Sequence, residues 1–343
     1  MAPGARKRAR MIISRTPLRV SLVGGGTDMA VFYRRYGGAV ISTSINRYVY
    51  VTVNTKFDDR LRISYSRTED VSSADDVTHP IVRAVLRKLG IGGGIEITSI
   101  ADVPAHGSGL GSSSAFCVGL LNALYAYEGH YVERRRLGAE ACEIEIDVLR
   151  EPIGKQDQYA SALGGLNYIR FNPDDSVDVL PLTHMRALAE DIRRSLIMFH
   201  TGIARGDSDI LKCQSSNVDG CGAKRDSLKQ MLALVEDLKR EFEMGNAAIL
   251  GEILHEAWLI KRSLAKGISS EAIDGWYHRA RAAGAAGGKI LGAGGGGFML
   301  LSAPPDRHEA ICRALPELRR IGIKFERLGS TIVFSESSDE RQG

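Results

Sequence analysis

The sequence predicts an α+β fold built from two domains. A chain of 343 residues has the length of about two average domains. Its strand and helix patterns come in blocks and do not alternate one for one, which argues against a doubly wound parallel sheet. Hydrophobic residues make up 44% and charged residues 25% of the chain, so its composition is that of an ordinary globular protein.

The first predicted domain covers residues 11–182. Alternating apolar and β-branched residues predict strands at 11–23, 40–45, 48–53, 61–65, 95–100, 165–171 and 177–182. Apolar residues at helical spacing predict helices at 79–89, 112–127, 133–149 and 156–163.

The second predicted domain covers residues 183–335. A short strand is expected at 196–200, followed by a helical region over 207–284. The last part should then run strand, helix, strand, strand over 297–301, 307–315, 323–327 and 331–334. A basic tail at 1–10 and a polar tail at 336–343 are expected to be disordered.

The net charge of +4 comes from the N-terminal tail. Four basic residues lie in the first ten positions, and the remaining chain carries equal numbers of basic and acidic side chains. A neutral body argues against a nucleic-acid partner. An apolar run of about 20 residues is absent, so no membrane partner is expected. Five cysteines without a C-x-x-C pair indicate a reduced, cytoplasmic compartment.

The strongest motif is a glycine- and serine-rich loop between a predicted strand and a predicted helix. Its glycines allow tight turns and close backbone approach, and the helix start offers free N–H groups and hydroxyls to an anion. This pattern predicts a cradle for nucleotide phosphates; the alternative is a serine-capped helix after a flexible loop. The candidate ATP-binding residues are Pro104, Gly107, Ser108, Gly109, Leu110, Gly111, Ser112, Ser113 and Ser114.

Other phosphate-loop and nucleophile motifs do not fit. The chain contains no G-x-x-x-x-G-K-[ST] segment, and no serine of the loop has glycines two residues before and after it. The cluster Gly24–Gly26 also fails the dinucleotide pattern, because Met29 stands where a glycine is needed.

The loop at 104–115 resembles the phosphate-binding loop of the GHMP kinases. Residues 15–28 (RTPLRVSLVGGGTD) resemble the substrate motif of that family, and residues 292–298 (GAGGGGF) resemble its C-terminal glycine motif. The three motifs occur in the family's order. The resemblance implies a ribosomal-S5-like N-terminal domain, a ferredoxin-like C-terminal domain, ATP and Mg²⁺, small-molecule substrates and a monomer or homodimer.

Within the family, the chain resembles the kinases that act on the anomeric hydroxyl of sugars. Residues 154–161 (GKQDQYAS) and Gly164–Gly165 are similar to the kinases for fucose and for manno-heptose, and the segment up to Ile45 is most similar to those acting on heptose 7-phosphate. That subgroup makes a 1,7-bisphosphate on the route to GDP-heptose for bacterial surface polysaccharide.

Three alternatives remain beside this interpretation. The chain could be an L-fucokinase or another sugar-1-kinase. A non-catalytic sensor of sugar and ATP is disfavoured because both the loop and the acceptor motif are undamaged. A mevalonate-type decarboxylase is disfavoured by the Gly154–Asp157 segment, which speaks for a sugar acceptor.

The resemblance implies a role for several charged residues. Asp157 would contact the acceptor hydroxyl, unless it is only an aspartate at the start of a helix. Arg19 would lie beside Asp157, unless it points outward from an edge strand. Asp28 would bind sugar hydroxyls, unless it caps a helix at 29–35. Ser113, or Ser112, and Glu145 would hold Mg²⁺.

The remaining alternatives concern neighbouring residues. Glu143 and Asp147 compete with Glu145 as metal ligands, and all three could simply form a solvated helix face. The C7 phosphate would need basic residues, for which Lys155, Arg205 and Lys212 qualify by chemistry only. The full set of candidate substrate-binding residues is Arg15, Gly25, Gly26, Thr27, Asp28, Lys155, Gln156, Gly294, Gly295, Gly296 and Arg205.

Overall fold

The computed structural model describes residues 9–104, 107–182, 186–203, 210, 213 and 220–337. Its described part contains an eight-stranded sheet and a four-stranded sheet, both covered by helices. The α+β fold class predicted from the sequence is therefore confirmed. Within the described residues, no helix combines the length and the apolar character that crossing a membrane requires.

The strands are, in chain order, β1 Ala9–Val23, β2 Gly38–Thr55, β3 Leu61–Ser64, β4 Thr68–Val71, β5 Ile95–Ala101, β6 Leu166–Phe171, β7 Val177–Pro181, β8 Leu196–His200, β9 Gly287–Ile290, β10 Phe298–Ser302, β11 Arg319–Ile321 and β12 Thr331–Ser337. The helices are α1 Ala30–Tyr36, α2 Pro80–Leu89, α3 Ser112–Tyr127, α4 Arg134–Cys142, α5 Gln156–Leu163, α6 Arg186–Ser195, α7 Gly222–Glu243, α8 Leu250–Leu264, α9 Glu271–Ala282 and α10 His308–Ala314.

The larger sheet is organised around the long strand β2. The two strands predicted at 40–45 and 48–53 form this single element. Its first part pairs with β6, its last part with β5, and β1 follows it along most of its length. Asn46 and Arg47 have no partner in β1, because the register between the two strands shifts at this point, and β2 continues through the irregularity.

The smaller sheet is antiparallel, in the order β11-β8-β10-β9. Strand β9 was not predicted from the sequence, and neither was helix α6. The predicted strand at 323–327 does not form: Phe325 makes one isolated bridge to Ile45, while β11 takes the place beside β8.

The chain ends in the larger sheet. Strand β12 pairs with β1, so the last residues return to the sheet that the first residues began. Strand β12 thus lies in the sheet of the first predicted domain, and the domain bounds 11–182 and 183–335 stay predictions. The tails are shorter than expected, because β1 already begins at Ala9 and β12 continues to Ser337. A strand pair separated by the whole chain leaves no local signal in the sequence.

Helix α3 lies directly on strand β1. Ser14 Oγ donates to the carbonyl of Gly119 at 2.8 Å, and a Cβ at Gly119 would lie 2.7 Å from Thr16 Oγ1. This close contact needs a glycine in the middle of a helix, where glycine otherwise costs stability. It fixes the N-terminus of α3, and with it the preceding loop, against the strand that carries Arg19.

Candidate active site

The glycines of the phosphate loop adopt left-handed backbone conformations. Gly107, Gly109 and Gly111 have φ of 68°, 70° and 73°, and Gly111 immediately precedes α3. A Cβ at Gly109 would lie 2.5 Å from the carbonyl oxygen of Leu291. The close approach that was expected for a ligand is therefore, at Gly109, an approach to the protein's own backbone.

The C-terminal glycine segment packs against this loop. A Cβ at Gly292 would lie 2.3 Å from Gly109 Cα, and one at Gly297 would lie 2.6 Å from the Gly107 carbonyl oxygen. The two glycine motifs, almost 190 positions apart in the sequence, thus form one layer. Each needs glycine because the other motif occupies the space of a side chain.

The three predicted acceptor glycines of this segment contact protein as well. Gly294 and Gly296 approach the backbone of Ile268 and Ile203, and Gly295 N donates to the Ile268 carbonyl at 2.8 Å. Their packing accounts for the glycines without a substrate. Acceptor binding by Gly294, Gly295 and Gly296 stays a prediction.

Arg19 and Asp157 form a bidentate ion pair beside the phosphate loop. Arg19 Nε and Nη2 donate to the two carboxylate oxygens of Asp157 at 2.7 Å each. Arg19 Nη1 also donates to the Gly109 carbonyl at 2.6 Å. Arg19 is 3% exposed, so the alternative of an outward arginine is wrong. Asp157 lies in the first turn of α5, and its side chain is 22% exposed.

Asp28 is buried near this pair. Its Oδ1 accepts from Gly26 N at 2.9 Å, and its Oδ2 accepts from Gln156 N at 3.3 Å. Burial, together with the charge of Asp157, raises the pKa of Asp28 to about 6, against the two backbone hydrogen bonds. The helix-capping alternative is wrong, because α1 begins at Ala30 with Met29 as its cap.

The other residues of the substrate turn are less available. Thr27 Oγ1 lies 2.8 Å from the carbonyl oxygens of Gly24 and Ala39, either of which can accept its proton, so this hydroxyl holds the turn together. Substrate binding by Thr27 stays a prediction. Gly26 contributes its N–H to Asp28. Gly25 is open: a Cβ there would lie 3.7 Å from Gln156 Nε2 and 4.0 Å from Ser21 Oγ.

This space is lined by unsatisfied polar atoms. Among the described residues, Gln156 Oε1 and Ser21 Oγ are buried without a hydrogen-bond partner. Buried polar groups are normally hydrogen-bonded, and unsatisfied ones are expected where a ligand or water binds. Gly25 and Gln156 therefore remain good candidates for acceptor binding.

Glu145 faces the serines that start α3. Its Oε1 accepts from Ser113 Oγ at 3.1 Å, and its Oε2 accepts from Gln158 Nε2 at 2.7 Å. It is 1% exposed, and burial raises its pKa to about 7, against the hydrogen bonds it accepts from Ser114 and Gln158. A bound cation would hold this carboxylate in its ionised form.

The inward position of Glu145 depends on a break in the helix. The helix predicted at 133–149 ends as α4 at Cys142, and residues Glu143–Val148 form a π-helical turn. Glu143 is exposed and pairs with Lys88 at 2.7 Å, and Asp147 is exposed as well. Of the three competing acids, the structure turns Glu145 towards Ser113. π-Helical turns are frequent at functional sites.

Two predicted substrate residues are placed elsewhere. The Arg15 guanidinium lies 4.7 Å from the centre of the Tyr48 ring, because its neighbours Ser14 and Thr16 take the face of β1 that meets α3. Lys155 Nζ pairs with Asp175 at 3.2 Å and lies over the Tyr33 ring.

Aromatic and acidic groups of the protein hold both cations, and substrate binding by Arg15 and Lys155 stays a prediction. Arg205 and Lys212 lie outside the described residues. Binding of the C7 phosphate by Lys155, Arg205 or Lys212 stays a prediction.

Several neighbours of the site were missed in the sequence. Gln158 supports Glu145, and Lys261 and Lys289 are buried behind the two glycine motifs. Gln158 follows Asp157 in the first turn of the predicted helix 156–163, so the sequence could have placed it near the site. A buried lysine has no reliable sequence signal, because lysines are mostly exposed.

Known proteins resemble the chain over most of its length. The model of the GHMP kinases N terminal domain matches residues 76–165, and the model of the GHMP kinases C terminal region matches residues 234–320. D-glycero-alpha-D-manno-heptose 7-phosphate kinase of Campylobacter jejuni is 27% identical over 323 residues, which are 89% of this chain and 93% of that protein.

Two further proteins point to the same group. L-fucokinase/L-fucose-1-P guanylyltransferase of Bacteroides fragilis is 26% identical over 77% of this chain, but this covers 32% of that longer protein. The crystal structure of a D-glycero-D-manno-heptose 1-phosphate kinase from Bacteroides thetaiotaomicron has a TM-score of 0.76 and 26% identity, covering 94% of this chain and 99% of that one.

The two family models match in the order N-terminal, then C-terminal, one in each half of the chain. The structure joins their glycine-rich segments into one layer beside the Arg19–Asp157 ion pair. The matches, the shared fold and the three sequence motifs agree, and the chain belongs to the GHMP kinase family.

Proposed function

We propose that the protein transfers the γ-phosphoryl group of ATP to the anomeric C1 hydroxyl of D-glycero-D-manno-heptose 7-phosphate. The product would be the 1,7-bisphosphate of the route to GDP-heptose and bacterial surface polysaccharide. The ion pair of Arg19 and Asp157 at the phosphate loop is the observation that carries the kinase reaction. The 27% identity to the heptose 7-phosphate kinase over 89% of the chain supports the choice of acceptor.

The phosphate loop and the start of α3 fit a nucleotide's phosphates. Residues Ser112 to Ser114 occupy the first turn of α3, where N–H groups without intrahelical partners and the positive end of the helix dipole favour an anion. The left-handed Gly111 before them adds no side chain that would block the approach. We assign the triphosphate of ATP to this place.

Ser113 and Glu145 fit a magnesium ion that enters with ATP. Mg²⁺ prefers oxygen ligands and is usually held by one or two carboxylates, water and substrate phosphates. Among the described residues, no group of three His, Cys, Asp or Glu side chains converges on a metal-sized site, so phosphate oxygens would complete the coordination. When bound, the ion would neutralise charge on the phosphates.

Asp157 is suited to the acceptor hydroxyl. Its carboxylate would accept the hydroxyl proton, or orient it, while the C1 oxygen forms a bond to the γ-phosphorus and the bond to the leaving ADP oxygen breaks. Arg19 stays charged throughout and holds the carboxylate in place by two hydrogen bonds. The same guanidinium, bonded to the Gly109 carbonyl, links the carboxylate to the phosphate loop.

Asp28 is suited to hydroxyl groups of the sugar. A carboxylate can accept from two neighbouring hydroxyls, and the sugar hydroxyls would replace the water that the buried Asp28 lacks. With a pKa of about 6 in the free protein, Asp28 is ionised at neutral pH. The open space at Gly25 lies on the same turn.

The second candidate is an L-fucokinase or another sugar-1-kinase. The match to the fucokinase of Bacteroides fragilis at 26% identity favours it. The two candidates differ in one chemical feature, the phosphate on the acceptor. A remote charged group can contribute binding energy that positions the reacting hydroxyl.

A substrate panel separates the candidates. ADP release would be measured with heptose 7-phosphate, free heptose, L-fucose, galactose and mannose at one ionic strength, and phosphorus NMR would locate the new phosphate. We expect the highest kcat/KM on heptose 7-phosphate and a phosphate at C1. Equal kcat/KM on free heptose or fucose would reject the heptose phosphate assignment. ADP release without sugar provides the background.

A further inference from the structure

Two lysines of the second half of the chain are buried at the back of the site. Lys261 on α8 is 7% exposed and Lys289 on β9 is 5% exposed. Burying an ammonium group is costly unless hydrogen-bond acceptors surround it. The two ammonium groups donate to main-chain carbonyls, those of Lys289 just before the turn Gly24–Asp28 and those of Lys261 at the start of the C-terminal glycine segment.

Lys289 crosses from the smaller sheet to the larger one. Its Nζ donates to the carbonyls of Ser21 at 3.0 Å and Leu22 at 3.1 Å, 268 and 267 positions earlier in the chain. Ser21 and Leu22 lie near the end of strand β1, just before the turn Gly24–Asp28. Burial lowers the pKa of Lys289 well below its usual value, and the charges of Lys261 and Arg19 act in the same direction.

An irregularity of β1 explains why these carbonyls are available. The register between β1 and β2 shifts between Ser21 and Val23, so Leu22 has no partner in β2. A bulge of this kind interrupts the ladder and leaves backbone groups unpaired. Lys289 satisfies the carbonyls at the bulge and thereby sets the direction in which the chain enters the turn that carries Asp28.

Lys261 makes the corresponding contact on the other motif. Its Nζ donates to the carbonyls of Ile290 at 3.1 Å and Gly292 at 2.5 Å, where the C-terminal glycine segment begins. Gly292 is the residue that touches Gly109 of the phosphate loop. The two lysines therefore hold two different loops, one next to Asp28 and one next to the phosphate loop.

We propose that Lys289 is a positioning residue for the sugar acceptor and Lys261 a positioning residue for the nucleotide. The geometry assigns one lysine to each substrate, since the bulge before Gly24–Asp28 depends on Lys289 and the segment behind Gly109 depends on Lys261. This assignment rests on the proposed sugar kinase function. It adds that each lysine acts through main-chain carbonyls and touches neither substrate.

Steady-state kinetics of Lys289→Met and Lys261→Met test the assignment. Methionine has an unbranched side chain that is one atom shorter than lysine and cannot donate a hydrogen bond. We expect Lys289→Met to raise KM for the acceptor about tenfold, the effect of losing one or two hydrogen bonds, and to leave KM for ATP within about twofold. Lys261→Met should show the reverse. The exposed Lys266→Met, which also removes one positive charge, is the matched control.

The proposal is overturned if the two variants do not differ in which KM value they raise. Equal rises of both KM values in each variant would reduce the lysines to general packing residues, and unchanged KM values would remove them from the site. If Lys289→Met does not fold, Lys289→Gln replaces it, because the shorter amide can still donate one hydrogen bond.

A second readout needs no substrate. Hydrogen exchange of the ligand-free protein should accelerate in the segment 21–28 for the Lys289 variants and in 290–297 for Lys261→Met. Unchanged exchange in those segments would reject the positioning role even if no sugar of the panel is phosphorylated. In that case the proposed function fails separately, by the absence of turnover in the unmodified protein.

Discussion

The carboxylates of Asp157 on α5 and Glu145 in the π-helical turn both lie near the start of α3, but their surroundings are opposite. Asp157 is held by the Arg19 guanidinium at 2.7 Å on both oxygens, so a positive charge of the protein compensates it. Glu145 is more deeply buried, and its hydrogen bonds come from neutral groups, a serine hydroxyl and a glutamine amide. Burial raises its pKa to about 7.

The difference indicates how each acid is used. Asp157 is prepared for its reaction in the free protein, because its charge is already balanced. Burying the Glu145 carboxylate costs free energy, and a bound cation would offset that cost. In the proposed reaction, Asp157 would therefore act with its charge balanced by Arg19, whereas Glu145 would gain its partner in a bound cation.

Asp157→Asn should have the largest effect. Asparagine keeps the shape but is a far weaker proton acceptor, so we expect kcat to fall by about 10²-fold or more while KM for ATP changes little. Initial-rate kinetics measure both. Asp175→Asn is the matched control, because it makes the same change at an aspartate that pairs with Lys155 and not with Arg19. Asp175 has a left-handed backbone conformation, which asparagine tolerates. A variant within a few-fold of the unmodified enzyme would exclude Asp157 from the reaction.

Gly109→Ala should affect the nucleotide side next. Its Cβ would lie 2.5 Å from the Leu291 carbonyl oxygen, at a φ of +70° that alanine disfavours. We expect KM for ATP to rise about tenfold or more and the melting temperature to fall, with a smaller change in KM for the sugar.

Gly92→Ala provides the control for that substitution. Nothing lies within 4 Å of a Cβ at Gly92, and its φ is not in the left-handed region. Calorimetric titration with ATP and thermal unfolding compare the two variants. An unchanged ATP affinity in Gly109→Ala would show that the packing of the two glycine motifs is not coupled to nucleotide binding.

Glu145→Gln should change the stability of the free protein, and the size of this change depends on pH. A folded pKa of about 7, above the ordinary 4.5, means that folding is disfavoured once the pH rises through this range. The glutamine variant should therefore be more stable than the unmodified protein at pH 8, by up to about 3 kcal/mol, and equally stable near pH 4.

Denaturant unfolding of Glu145→Gln at several pH values measures this difference. Glu143→Gln, which changes an exposed acid two residues away, should leave the pH dependence unaltered. Adding Mg²⁺ and ATP should stabilise the unmodified protein more than Glu145→Gln. An equal gain in both would remove Glu145 as the metal ligand and weaken the contrast with Asp157.

The candidate residues were largely recognisable as sequence patterns. Phosphate loops, acceptor segments and glycine motifs are short and contiguous, so their chemistry is legible without the fold. The α+β class followed from the order of the strand and helix patterns, and the structure confirms it. The helices at 112–127 and 156–163, which carry the loop and Asp157, were predicted with the bounds the structure shows.

The errors occurred where distant parts of the chain meet. The return of β12 to β1, the π-helical turn at Glu143–Val148 and the positions of Arg15 and Lys155 all depend on contacts that periodicity does not encode. From the sequence, Arg15 was a candidate for binding the substrate and Lys155 a candidate for binding its C7 phosphate. In the fold, Tyr48 and Asp175 hold them.

The sequence by itself determined the kind of chemistry, because residue types in short segments set which groups can bind phosphate or accept a proton. The tertiary structure alone decided which of these groups meet. It paired Arg19 with Asp157, turned Glu145 inward and placed Lys289 under the bulge before Asp28. The physical reason is that charge compensation and burial arise between residues that are distant in the sequence, 138 positions apart for Arg19 and Asp157 and 268 for Lys289 and Ser21, where local propensity carries no information.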